Sequence, residues 1–123
     1  MPDWRVSEQP MSLAGGRAGA SRLLELAEPP TAVIAGIDVL AIGALIETQA
    51  RGLAVPDQVS IVGIDDIEMS AHVSPSLTTV HIPTAAIGAE AARILIGIVQ
   101  GREKEARCDL PIELVARHST GPA

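Results

Sequence analysis

Phenylalanine and tyrosine are absent from this chain of 123 residues, and Trp4 is its one tryptophan. Any core must be built from Ala, Val, Ile and Leu, which suits helices layered on buried parallel strands. Cysteine is nearly absent too. Cys108 stands alone, so no internal disulfide can form, in keeping with a reducing compartment. There is no basic stretch, and the net charge is −6. Duplex DNA is held by clustered Lys and Arg that displace phosphate counterions, so this segment is not expected to bind DNA by itself. Long apolar runs are missing as well. The longest, residues 31–46, is broken by Asp38 and is too short to span a bilayer. Met1-Pro2-Asp3-Trp4-Arg5 has no apolar run behind it, so the start does not read as a signal peptide.

Motifs that carry chemistry are equally scarce. His72, His81 and His118 lack the spacing of a metal site, and no second cysteine could complete one. Ser60, Ser70 and Ser74 lie in no G-x-S-x-G turn. No Walker loop is present, and Gly15, Gly16 and Gly19 follow no strand, so they make no dinucleotide loop. The expectation is a chain with no catalytic residue, no metal and no cofactor.

What is present is a regular alternation. Apolar residues make up 47%, which argues against disorder, and the length suits one core. Residues 1–12 are polar and read as a loop. Residues 13–28 read as a helix weakened early by its glycines and stopped by Pro29-Pro30. Residues 31–35 read as a buried strand, and Gly36-Ile37 as a turn. Asp38 reads as the N-cap of a helix whose apolar positions Val39, Ile42, Leu45 and Ile46 recur at helical spacing. Further strands are expected at 59–64, 77–82 and 110–116, a short helix at 67–73, a helix from Thr84 to Gln100, and a charged loop at 102–107. Strands alternating with helices imply a parallel sheet with ligands beyond the strands' carboxyl ends. Asp65 stands at such an end. There it could accept hydrogen bonds from vicinal hydroxyls or an amine, or simply form a turn. Asp66 reads as the cap of the next turn. The stripe Ile42, Leu45, Ile46 reads first as packing against the sheet.

Residues 29–121 carry a resemblance. Pro30-Thr31-Ala32-Val33 with the run from Asp38 to Leu45, the run from Arg51 to Asp66 (RGLAVPDQVSIVGIDD), Ser74-Pro75 with Leu77-Thr78-Thr79-Val80, Ile87-Gly88, and Leu114 to Arg117 with Ser119-Thr120 follow one another in order. The chain thereby resembles the C-terminal part of the sensor domain of LacI/GalR-type transcriptional regulators. The resemblance implies an α/β fold, namely an incomplete type I periplasmic-binding-protein-like lobe with a parallel, Rossmann-like sheet flanked by helices. On that frame residues 1–30 are a loop and helix of a truncated C-terminal lobe. Residues 31–82 are its core βαβ. Residues 83–101 are a helix that packs on an N-terminal lobe, and residues 102–123 are a loop and return strand. The helix-turn-helix head, the N-terminal lobe and the first strand and helix of the C-terminal lobe have no counterpart here.

The resemblance also implies roles. A small-molecule effector, sugar-like or another small metabolite, would meet Asp65, Ile37 and Ile82. Two of these depart from the family pattern, because Ile37 stands where the family has Asn and Ile82 where it has Gln. Related sugar-binding proteins use those polar positions for hydroxyl groups, so the crevice here would be less polar. Ile42, Leu45, Ile46 and Val73 would lie at a homodimer interface. DNA would be met only through the absent head, the protein would be cytoplasmic, and no membrane is involved. Two alternatives stand beside this reading: a fragment of a transport-type sugar-binding protein of the same fold, and a small α/β enzyme. The regulator-like wording of residues 55–66 and 77–80 speaks against the first, and the missing nucleophile, phosphate loop and metal cluster against the second.

Overall fold

The computed structural model describes residues 5–102 and 107–122. The start of the polar N-terminal loop, with Trp4, and most of the expected charged loop lie outside them. Eight elements follow one another: α1 (Leu13–Leu24), β1 (Ala32–Ile34), α2 (Asp38–Ala50), β2 (Ser60–Asp65), α3 (Glu68–His72), β3 (Thr78–His81), α4 (Thr84–Val99) and β4 (Glu113–Val115). Their order matches the sequence pattern. The differences lie at the ends, where α1 stops at Leu24 rather than near residue 28 and β4 takes up only part of 110–116.

The strands form one sheet in the order β1-β2-β3-β4. β1 and β2 are parallel, with Val33 opposite Ile61, and β2 and β3 are parallel, with Ile64 opposite Val80. Parallel pairing brings the carboxyl ends of β1, β2 and β3 to one edge of the sheet. Alternation along β2 buries Ile61 and Gly63 on one face. The core joins Ile61 to Ala41, Ile42, Ala44 and Leu45 of α2, Ala20 of α1, and Leu77 just before β3. It is a core of small and branched aliphatic residues, as a chain without phenylalanine requires.

Helix α1 corrects one expectation. Its glycines are not merely weak points, since Gly15, Gly16 and Gly19 are all buried. A Cβ on Gly16 would collide with the Leu40 carbonyl, and one on Gly43 with the Leu13 carbonyl. The two helices touch backbone to backbone, and helix propensity is given up for that approach. Ser12 supports the start of α1, its Oγ accepting from the Gly15 N–H at 3.0 Å. Strand β1 corrects another. It was expected to be buried, yet Ile34 is 76% exposed; β1 also ends the strand order, with no strand on its outer side among the described residues.

The last stretch of chain stitches β2 to β3. The buried Ser119 accepts from the Thr78 N–H at 2.8 Å and donates its hydroxyl to the Ile61 carbonyl at 2.6 Å. The residues form two compact units, 1–81 with 114–123, and 82–113. The second contains α4, whose one buried residue is Gly97.

Candidate functional site

The site expected from the sequence lies at the carboxyl edge of the sheet. Because β1 and β2 are parallel and in register from Ala32 opposite Ser60, Ile37 beyond β1 and Asp65 at the end of β2 reach the same edge. Both are half-buried. Ile82, the third predicted contact, is half-buried and is the first residue of the second unit.

The backbone at Asp65 is unusual. Asp65 has φ 119° and Asp66 has φ 56°. The second value is the left-handed region that Asp tolerates. The first is a sparsely populated conformation for a side-chain-bearing residue, costing on the order of 1–3 kcal/mol and sustained only where surrounding structure fixes it. Several bonds supply that fixing. The Asp66 N–H donates to Thr79 Oγ1 at 3.3 Å, and the Ile67 N–H donates to Asp38 Oδ2 at 3.0 Å. The Asp66 carboxylate accepts from Arg117 Nη2 at 2.6 Å and lies 3.1 Å from His81 Nδ1. Arg117 also donates to the Leu77 carbonyl at 2.8 Å. Hydrogen bonding to the Arg117 guanidinium holds the Asp66 carboxyl below the usual carboxylate range, against the partial burial that would raise it. The Asp65 carboxylate, by contrast, makes no hydrogen bond or ion pair among the described residues. It is an acceptor held at a strand end with its capacity unspent.

Asp66 was expected to cap the following turn. The cap position of α3 belongs to Ile67, with no side-chain bond, and the Asp66 carboxylate pairs with Arg117 and His81 instead. Asp38 likewise was expected to cap α2. The structure places Ile37 at the cap, without a side-chain bond, and Asp38 inside the first turn. Its carboxylate is wholly buried and faces away from its own helix. It accepts from Thr79 Oγ1 at 2.6 Å, Ser70 Oγ at 2.6 Å and the Ile67 N–H. Its partners all lie 29 or more positions away, so no local pattern announces them. Arg117, quoted above only as part of a motif, is the other site residue that sequence reasoning missed.

The expected dimer residues separate into two kinds. Ile42 and Leu45 are 5% and 2% exposed and belong to the core; they are unavailable to a partner, because α2 turns that stripe to the sheet and to α1. Ile46 is 40% exposed, and Val73 is partly buried against the core. A cavity of about 300 Å³ lies elsewhere, bounded by residues 5–9, α1, β1 and α2, with Val33, Leu40 and Ala44 in its wall. It includes none of Asp65, Ile37 and Ile82. Among the described residues no group of His, Cys, Asp and Glu could hold a metal ion, and no helix is long and apolar enough to cross a membrane.

This fold has counterparts. The family described as the periplasmic binding protein-like domain matches residues 3–120. The chain belongs to it. Among curated relatives, the HTH-type transcriptional repressor PurR of Aliivibrio salmonicida is 34% identical over 119 residues, covering 96% of this chain and 35% of the repressor. Among solved structures, a LacI family transcriptional regulator from Bifidobacterium animalis subsp. lactis superposes with a TM-score of 0.89 at 29% identity, over 94% of this chain and 42% of that one. The complex of the transcriptional regulator CelR with cellobiose gives 0.89 at 33% identity, over 97% of this chain and 37% of that one. This periplasmic binding protein-like chain thus spans about a third of the length of the curated relatives it matches. Those relatives are transcriptional repressors, not enzymes.

Proposed function

We propose that the chain is the effector-sensing part of a LacI-type transcriptional regulator and that Asp65 is its main polar contact to a small-molecule effector. The observation that carries this is half-buried Asp65, whose carboxylate has no partner among the described residues and which is held at the carboxyl edge of β2 by a backbone conformation that costs energy. Ligands bind beyond the carboxyl ends of parallel strands, and strain of this kind persists at sites of function. Ile37 would present aliphatic surface beside it, favouring a ligand less densely hydroxylated than a free sugar. In the whole regulator the effector would close two lobes, alter the geometry of a homodimer and so change operator affinity. DNA would be met through another part of the protein, in the cytoplasm, and no reaction would be catalysed.

The test is calorimetry on the full-length regulator with cellobiose, the ligand named in the CelR complex, and less hydroxylated deoxy-sugar glycosides as probes, comparing wild type with Asp65→Asn. A charged hydrogen-bond acceptor is worth about 1.5–3 kcal/mol. The variant should bind the recognised probe about tenfold or more weakly, with its denaturation midpoint unchanged. Equal affinity would reduce Asp65 to a turn residue.

A further inference from the structure

We propose that Asp38 is a positioning residue. Its buried carboxylate holds the Asp65–Asp66 turn in its binding geometry and ties that turn to the start of helix α2. The inference rests on the reading of Asp65 as an effector contact.

Three features of Asp38 set it apart from a helix cap. A capping side chain accepts from the N–H groups of its own first turn, whereas each partner of Asp38 belongs to another segment of the chain: Ile67 before α3, Ser70 within α3, and Thr79 in β3. Two of these partners hold the strained turn where it leaves Asp65. Ile67 follows it directly and donates its N–H to Asp38, and Thr79 accepts the Asp66 N–H while donating its own hydroxyl to Asp38. Two successive amides after Asp65 are therefore held by one carboxylate, once directly and once through a hydroxyl. Third, β2 leaves room for it. A Cβ on Gly63 would collide with Asp38 Oδ1, so the strand carries no side chain where the carboxylate lies over it. No buried side-chain polar atom among the described residues is left without a partner, so the network is satisfied throughout, the condition under which a buried polar network fixes one geometry. Short charge-assisted bonds, 2.6 Å to each hydroxyl, are the strong kind.

Asp38 is also the first residue of α2. A shift of that helix's first turn must move the carboxylate, and with it the Asp66 and Ile67 amides. Displacement of Asp65 by an effector would reach α2 along the same bonds. The bury-and-satisfy arrangement is thus a mechanical link between the sheet edge and the helix packed on α1.

Amide hydrogen exchange, resolved by residue, tests this without any small molecule. Asp38→Asn keeps the shape but replaces one accepting oxygen by a donor. Thr79→Val removes only the hydroxyl between Asp38 and Asp66. Thr79→Ser restores that hydroxyl. In Asp38→Asn and Thr79→Val, protection at Asp66 and Ile67 should fall by about tenfold or more beyond any change at Ile61 and Leu45, while Thr79→Ser keeps the wild-type pattern. Should Asp38→Asn not fold, Thr79→Val carries the test. Equal loss at the turn and at Ile61 and Leu45, or an unchanged turn, would overturn the proposal and leave Asp38 as ordinary core support. Failure of Asp65→Asn to weaken probe binding, with the turn still loosened here, would instead overturn the effector reading alone.

Discussion

Asp66 and Arg117 stand 51 positions apart, and their bond is the shortest ion pair at the sheet edge, 2.6 Å. Its consequence for pH follows from the sign of the shift. The folded state holds the Asp66 carboxyl below its ordinary value, about 3.9 for an unperturbed Asp. The unfolded chain therefore takes up its proton first as pH falls. The stabilisation is complete above about pH 4 and is lost as pH drops through the lowered folded value. Urea midpoints followed from pH 6 downward should fall more steeply for the wild type below about pH 4 than for Asp66→Asn. Glu25 and Glu47, also lowered by their bonds to Arg51, contribute equally to both curves, so the difference isolates Asp66. Parallel curves would show that the pair contributes nothing. At this scale the sequence was legible only where a role depends on neighbours along the chain. Asp65 could be placed because an apolar run ends beside it. The duties of Asp38 and Arg117 could not, since each is defined by partners that only folding brings near. The α2 stripe was half legible, in that its periodicity marked Ile42 and Leu45 as apolar-face residues without saying which neighbour covers them.

Elements were read more fully than residues, and the exceptions share one cause. Helical spacing located α2 and α4, and β-branched runs located β2 and β3, because periodicity is local. Whether a strand is covered depends on its neighbours, so β1 read as buried and proved an edge. Whether glycine weakens a helix or permits contact depends on the facing helix, which α1 shows. Two substitutions separate these uses of glycine. Gly43→Ala forces a Cβ into the Leu13 carbonyl and should cost about 1–3 kcal/mol, the range for overpacking. Gly88→Ala meets open space within α4 and should favour that helix by roughly 0.5–1 kcal/mol. Chemical denaturation reads the first, as a lower midpoint at unchanged slope, and helical circular dichroism reads the second, as a stronger signal. A neutral Gly43→Ala would mean that α1 and α2 separate at little cost, against the close packing described.

For the molecule as a whole, charge and exposed apolar surface pull in opposite directions. With a net charge of −6 and no basic cluster, a gel-shift titration at low salt should show no sequence-specific shift at submicromolar protein. Repulsion between copies is modest, however, beside the apolar surface on view. On α4 Leu95 and Val99 are 62% and 77% exposed, with Ile96 beside them, and on β4 Leu114 is 62% exposed. Leu95 and Val99 are four residues apart and share one helix face. Burying a single side chain of this size is worth roughly 1.5–3 kcal/mol, so a few together rival the net stability of a domain, about 5–15 kcal/mol. In a whole regulator we propose that an N-terminal lobe covers this face; in the chain alone, another copy is the nearest apolar partner. The outer side of β1, which no strand among the described residues pairs with, with Ile34 exposed and no charged residue in 31–36 to discourage pairing, adds a second route to association. Sedimentation velocity of the purified chain at rising concentration should therefore show oligomers. The double substitution of Leu95→Lys and Val99→Lys, which adds repulsion where burial was gained, should shift the distribution toward monomer by about tenfold or more in dissociation constant. A wild-type chain that sediments as a clean monomer and melts sharply would show that the chain has closed its own core and that α4 needs no partner. Oligomers that survive the double substitution would move the contact to the β1 edge, where Ile34→Lys is the corresponding test.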